Sequence, residues 1–210
     1  MGTQILEQIV AGEDLGLAPL SVEQYHQMIA NGILAEDPKV ELLDGLLVLK
    51  DRRDRGGKPM NVGPRHVSIV MRLFKLLERL VETDQLHVRV QGPISLPPNN
   101  EPEPDVAIVS GHPDDYLSRQ PESTDTIAVM EVADSSIHRD RGTKLQLYAN
   151  AGIEIYWIVN LLADQIEIYT QPQIGSGRYA KSEMLSPGDE ISLALPDGRV
   201  VAVAVSDVLP

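Results

Sequence analysis

The sequence predicts an α/β (α+β) domain, a mixed β-sheet flanked by helices with additional β-hairpins. Three observations point there. Apolar residues from Pro64 to Val81 recur with the period of about 3.6 that marks an amphipathic helix. Apolar runs of strand length recur on both sides of that segment and a second helical stretch interrupts them, so neither element type dominates. Two Asp-Gly dipeptides, Asp44-Gly45 and Asp197-Gly198, stand between apolar runs, where they are strong signals for a tight hairpin turn.

Each element has its own local reason. Residues 1–18 read as a loosely ordered lead-in and 19–210 as one domain, without internal repeat or linker. Ser21, with Gln24 three residues on, makes a capping box for a short helix through Tyr25, Met28 and Ile29 that stops near Asn31-Gly32. The runs 40–43 and 46–49 are the arms of the first hairpin. The stretch 51–63, with Arg52, Arg53, Arg55 and Lys58, is the most basic in the chain and reads as a mobile loop that could track a phosphate backbone or simply be solvated. Pro64 suits the first turn of the long helix, whose apolar stripe takes in Val67, Val70, Leu73, Phe74, Leu77, Leu80 and Val81. Residues 87–90 form the next strand, and the proline-rich 96–104 fits no regular element. Asp105 then opens an apolar strand, 111–126 is a polar connection with room for one helical turn, and 127–132 is a strand carrying Glu131. A helix from about 139 to 150 follows, closed by Ala151-Gly152. Runs 155–159 and 165–169 make a hairpin, and a Gly- and Ser-rich loop leads to a last one, 191–195 with 200–205.

With 210 residues and 42% hydrophobic content, the chain is long and apolar enough for a real core, which Leu, Ile and Val must build because aromatics make up only 4%. There is no cysteine, so disulfides and thiolate metal sites are excluded and carboxylates and histidine remain as ligands, in keeping with a cytoplasmic protein. No apolar run approaches the roughly 18 residues of a membrane span, so no membrane partner is expected. A net charge of −13 counts against tight autonomous binding to nucleic acid, whose affinity comes mostly from phosphate neutralisation.

Four groups concentrate the chemistry: Asp105, Glu131, Asp140 and Lys144. A carboxylate at the end of a buried strand is costly unless paired. Two of them, backed by a lysine one element later, suggest a divalent cation held by Asp105 and Glu131. Asp140, Lys144 and Tyr148 are spaced by four, which puts them on one face of a helix, where Asp140 and Lys144 are either an ordinary surface pair or part of the site. Glu41 either completes the acidic cluster or is a plain strand carboxylate at a turn. His66 lies on the apolar stripe with Ile69, Val70 and Leu73, as a satisfied core histidine or a ligand. Gln91 follows an apolar strand and reads as structure, His26, His112 and His138 as surface, and Tyr156 and Trp157 as packing rather than base-stacking groups.

The runs Glu103-Pro104-Asp105-Val106, Met130 to Ser136, Asp140 to Tyr148 and Gly152 to Val159, taken in this order, resemble the Uma-two family of restriction-endonuclease-like proteins in the PD-(D/E)XK nuclease superfamily. The similarity extends from about Ser21 to the C-terminus and includes Glu41 in the opening hairpin and His66 at the start of the first core helix. It implies a restriction-endonuclease-like central mixed sheet flanked by helices, with metal on Asp105 and Glu131. It further implies an endonuclease that hydrolyses nucleic acid, DNA being expected, with Mg²⁺ as cofactor and Mn²⁺ able to substitute. Where the superfamily places lysine two residues after the second acid, this chain has Ala133; the family often displaces the lysine onto the next helix, which implies Lys144. Asp140, Glu41 and His66 would support.

A rival expectation uses the same fold as a catalytically inactive binding or assembly module, with a Val- and Leu-rich C-terminal hairpin as a homodimer interface. A hydrolase acting on another phosphate ester would use the same residues. Convergence of Asp105, Glu131 and Lys144 within about 4–6 Å, the range of strong charge coupling, separates a working site from a module.

Overall fold

The computed structural model describes residues 16–35, 40–50, 52–53, 59–60, 63–81, 83 and 85–210. Most of the expected lead-in, together with Arg55 and Lys58, lies outside the described residues. Helix α1 (Val22–Ala30) starts at the Ser21–Gln24 capping box, each side chain bonding the other residue's backbone N–H. Strands β1 (Val40–Leu43) and β2 (Leu46–Leu49) pair through Asp44 and Gly45, whose φ of 50° and 75° are those of the primed turn that Asp-Gly favours. Within the stretch expected as a loop, β3 (Arg52–Arg53) and β4 (Pro59–Met60) make a two-residue ladder.

Helix α2 (Pro64–Val81) buries His66, Ile69, Val70, Leu73, Leu76, Leu77 and Val81. The stripe therefore runs one position off the expected one at its start, and Val67 is 50% exposed. Next come β5 (Leu86–Val90), β6 (Val106–Ser110) and β7 (Thr126–Ala133). The helix α3 spans 137–150 and is interrupted by a π-helical turn, Asp140–Lys144. Strands β8 (Ile155–Asn160), β9 (Gln165–Gln173) and β10 (Arg178–Leu185) complete a six-stranded sheet in the order β10-β9-β8-β7-β6-β5, with only the β7–β8 pair parallel. That parallel pair is joined by α3, the crossover it requires. Strand β11 (Glu190–Ala194) pairs with β12 (Val200–Ala204), and α4 (Val205–Val208) follows.

Strand β10 falls where a Gly- and Ser-rich loop was expected. It is a sheet edge that packs only Tyr179 and Leu185 against the core, is otherwise largely exposed and carries Arg178, Lys181 and Glu183, so it shows no periodic signal. The C-terminal hairpin also departs from expectation. Ile191, Leu193 and Val203 are at most 2% exposed and join the core with α2, so this face of the hairpin packs internally while Val200, at 67%, stays exposed.

The sheet is covered on both sides. One face packs Val106, Ile108, Met130, Val132 and Trp157 against α2 and the C-terminal hairpin. The other packs Ala107, Val129, Tyr156 and Ile158 against Leu147 and Tyr148 of α3 and against Ile94 and Leu96. At about 1.5–3 kcal/mol per buried large side chain, these layers hold the strand ends rigidly enough to fix a polar cluster between them. Among the described residues no helix is long and apolar enough to cross a membrane.

Candidate active site

The β6–β7 register sets Val106 opposite Met130, which brings Asp105, just ahead of β6, beside Glu131 on β7. Asp105 is held from two sides. Its Oδ2 accepts the Val132 N–H at 2.8 Å and lies 3.1 Å from Nε2 of His66, a buried residue of α2. These bonds leave Oδ1 without a partner among the described residues. His66 is thus neither a free ligand nor fully satisfied: its Nδ1 is buried without a partner.

Glu131 lies on the face of β7 that α3 covers. Its Oε1 accepts from Lys144 Nζ at 2.7 Å and from the Tyr148 hydroxyl at 2.9 Å. Lys144 is only 2% exposed, a burial lysine tolerates only when paired, and its second partner is Glu41 Oε2 at 3.3 Å. Glu41 reaches the cluster from β1 and also accepts the Glu103 N–H at 3.4 Å. Ala133, where a strand-borne lysine would stand, is fully buried, and the amine arrives from the π turn instead. Such turns are rare and often found at functional sites.

The expected helical face Asp140-Lys144-Tyr148 is therefore rearranged. Lys144 and Tyr148 meet on Glu131, whereas Asp140 does not hydrogen-bond Lys144. Asp140 is buried, its backbone carbonyl accepts from the Tyr156 hydroxyl at 3.0 Å, and its Oδ2 has no partner. It acts on Lys144 through charge alone.

The electrostatics show a site short of positive charge. Burial pushes Glu131 up to about 8 against the pull of Lys144, with Asp140, Asp105 and Glu41 adding to the rise. Burial likewise raises Asp140, opposed by Lys144. Asp105 goes the other way: burial raises it, but the hydrogen bond and charge of His66, the Val132 N–H and Lys144 outweigh that and leave it below the ordinary carboxylate range. Burial would lower Lys144, yet Glu131, Glu41 and Asp140 hold it above the ordinary lysine range, so it stays an ammonium. Lys144 is thus in direct contact with Glu131 and Glu41, and Asp105 and Asp140 are coupled to these groups through charge.

The donor set fits a hard divalent cation. All candidate ligands are carboxylate oxygens, Asp105 and Glu131 each have one oxygen not engaged in the hydrogen bonds above, and the orphaned Asp140 Oδ2 marks uncompensated negative charge. No three His, Asp or Glu side chains among the described residues form a ready-made cage. Two carboxylates, with water and phosphate supplying the rest, is what Mg²⁺ usually accepts.

The pair Arg141–Glu167 escaped the sequence reading, which placed Tyr148 on the Lys144 face but not its contact with Glu131. Arg141, on the π turn, donates through Nε and Nη2 to buried Glu167 at 2.9 and 2.7 Å. The only sequence signal was a glutamate inside the apolar run Ile166-Glu167-Ile168. Tyr156 and Trp157 are fully buried and pack, with the Tyr148 and Tyr156 rings 5.0 Å apart, so neither is available to stack bases.

Comparison with known proteins agrees with this architecture. A crystal structure described as a putative nuclease belonging to DUF820, from Anabaena variabilis, superposes with a TM-score of 0.63 over 91% of this chain and 98% of that one; at 13% identity the likeness shows the shared fold. No curated protein matches the chain. The family model described as "Uma2: Putative restriction endonuclease" matches residues 22–204, most of the 210-residue chain. The chain belongs to the Uma2 family.

Proposed function

We propose that the chain is a Mg²⁺-dependent endonuclease that hydrolyses phosphodiester bonds in nucleic acid, with DNA as the expected substrate and Mn²⁺ as an alternative metal. One observation carries this reading: a buried lysine is delivered by a π turn to within 2.7 Å of Glu131, beside Asp105, where the strand itself has only Ala133. Membership of a restriction-endonuclease family supports the nuclease class.

Asp105 and Glu131 would hold the metal, which as a Lewis acid supplies charge stabilisation and a more acidic water. The chain's own groups have separable tasks. His66 and the Val132 N–H fix one oxygen of Asp105 and so orient the other. Tyr148 and Lys144 do the same for Glu131. Lys144, held protonated, is no general base; its charge stabilises the attacking oxygen and the developing negative charge on phosphorus-bound oxygens. Glu41 keeps that ammonium in place.

The test is calorimetric titration of Mg²⁺ or Mn²⁺ into wild type and Asp105→Ala, with supercoiled and single-stranded DNA incubated in the same buffers. The expected result is metal binding and metal-dependent cleavage by wild type, both lost in a variant that still folds. Cleavage unchanged in Asp105→Ala and Glu131→Ala would overturn the reading.

A further inference from the structure

Beside the carboxylate cluster a cavity of about 370 Å³ opens between α1 and the 91–105 segment. Its polar lining is His26, Lys50, Gln91, Glu101, Glu103 and Gln120, and Tyr25 and Pro93 add flat apolar surface. It borders the candidate active site directly. The Gln91 N–H donates to the Asp105 carbonyl at 3.1 Å, and the Glu103 N–H donates to Glu41 Oε2 at 3.4 Å.

The lining groups are oriented rather than floppy. Arg89 Nη2 donates to Gln120 Oε1 at 3.0 Å. Arginine cannot accept, so the amide oxygen is used and the NH₂ is what Gln120 can still donate. Lys50 engages Oε2 of Glu103, which leaves Oε1 as an acceptor. Glu101, 5% exposed, has both oxygens within 2.9 Å of His26 Nε2, so His26 is not the plain surface residue its sequence context suggests. Gln91 sits at φ 48°, in the left-handed region that few non-glycine residues adopt, which fixes its place in the lining.

Two carboxylates make the cavity unwelcoming to phosphate, and a volume near 400 Å³ falls in the range of small-molecule pockets. A neutral, flat ligand with donors and an acceptor along one edge matches it. Guanine fits best among the bases. Its neighbouring N1–H and N2–H₂ can share the one open acceptor, Glu103 Oε1, and its O6 lies beside them to accept from the Gln120 amide. We infer that this cavity receives one unstacked guanine base of the strand whose phosphodiester lies at Asp105 and Glu131. This deepens the proposed nuclease reading and rests on it for the position of the strand, while base binding itself needs no metal.

The probe is guanosine monophosphate, in ribo and deoxy forms, titrated into the metal-free full-length protein alongside the adenine, cytosine and uracil or thymine nucleotides. Guanine nucleotides are expected to bind most tightly, and roughly tenfold or more weaker in Glu103→Gln and Gln120→Leu, since a hydrogen-bonding pocket loses about that much per lost partner. Equal affinity for all bases in wild type would overturn the inference, whether or not the variants fold. A second arm moves a single guanine along an otherwise uniform single-stranded oligonucleotide with Mg²⁺. Cleavage at a fixed offset from that guanine, lost in Gln120→Leu, supports the pocket; cleavage indifferent to guanine overturns it and leaves the nuclease reading standing. Guanine-selective binding without any cleavage by wild type supports the pocket and overturns the nuclease reading instead.

Discussion

At the scale of single residues, Lys144 decides most. It is buried between Glu131 at 2.7 Å and Glu41 at 3.3 Å, and removing one partner of a buried charge cluster leaves the others uncompensated. Such losses typically cost about 3–5 kcal/mol. Because Glu131 is already pushed towards its neutral form, the low end, about 3 kcal/mol, is expected for Lys144→Met. The double variant Lys144→Met, Glu131→Gln should recover much of that, since the carboxylate in closest contact with the lysine is then gone and only Glu41 and Asp140 remain near the methionine. Urea unfolding of the singles and the double measures this, and strict additivity would contradict the pairing. Lys144 and the two acids were readable in the sequence because carboxylates in apolar strands stand out. The direct contact of Tyr148 with Glu131 was not, because a tyrosine one helical turn from a lysine also reads as packing.

At the scale of elements, the π turn is the part that sequence period does not reveal. It shifts α3 by one residue within one turn, too small a change to alter an apolar pattern over 137–150. The hairpins and α2 were legible because Asp-Gly turns and a helical stripe are local signals, whereas edge strand β10 gave none. What holds the π turn is a matter of tertiary structure. In the register of the sheet, Glu131 is opposite Ile158 and Ile158 opposite Glu167, so both glutamates lie on the face that α3 covers. Lys144 takes one and Arg141 the other. Glu167, 1% exposed, also accepts from Asn160 at 3.0 Å and Tyr169 at 2.8 Å. Arg141 is 46% exposed, so solvent screens its share, and Arg141→Ala should cost only about 1–2 kcal/mol. The larger effect is expected locally, as faster amide hydrogen exchange in 140–144 and a lower kcat than KM change would suggest, with Arg141→Lys restoring charge but not the two-pronged bond. Unchanged exchange across the turn would show that Arg141 does not hold it.

At the scale of the molecule, the charge pattern makes stability and metal binding respond to pH in opposite senses. Glu131 and Asp140 are raised in the folded state, so their contribution is fully present below the ordinary carboxylate range and is lost as pH rises, for Glu131 through about 8. Asp105 and Glu167 are lowered: for Asp105 burial is overcome by His66, for Glu167 by Arg141, Asn160 and Tyr169. Their contribution is present above the ordinary range and is lost as pH falls through their folded values. A chain with net charge −13 also repels itself more as its carboxylates ionise. Without metal, Tm should therefore be highest in mildly acidic solution, falling steeply in acid and gradually towards about pH 8. A divalent cation requires ionised ligands, so it should bind more tightly as pH rises to about 8 and release a proton below that. Saturating Mg²⁺ should then flatten the alkaline limb of the Tm profile, and Glu131→Gln, which cannot titrate, should flatten it without metal. An alkaline limb that persists unchanged in Glu131→Gln would assign the loss to general charge repulsion rather than to the cluster between β6, β7 and α3.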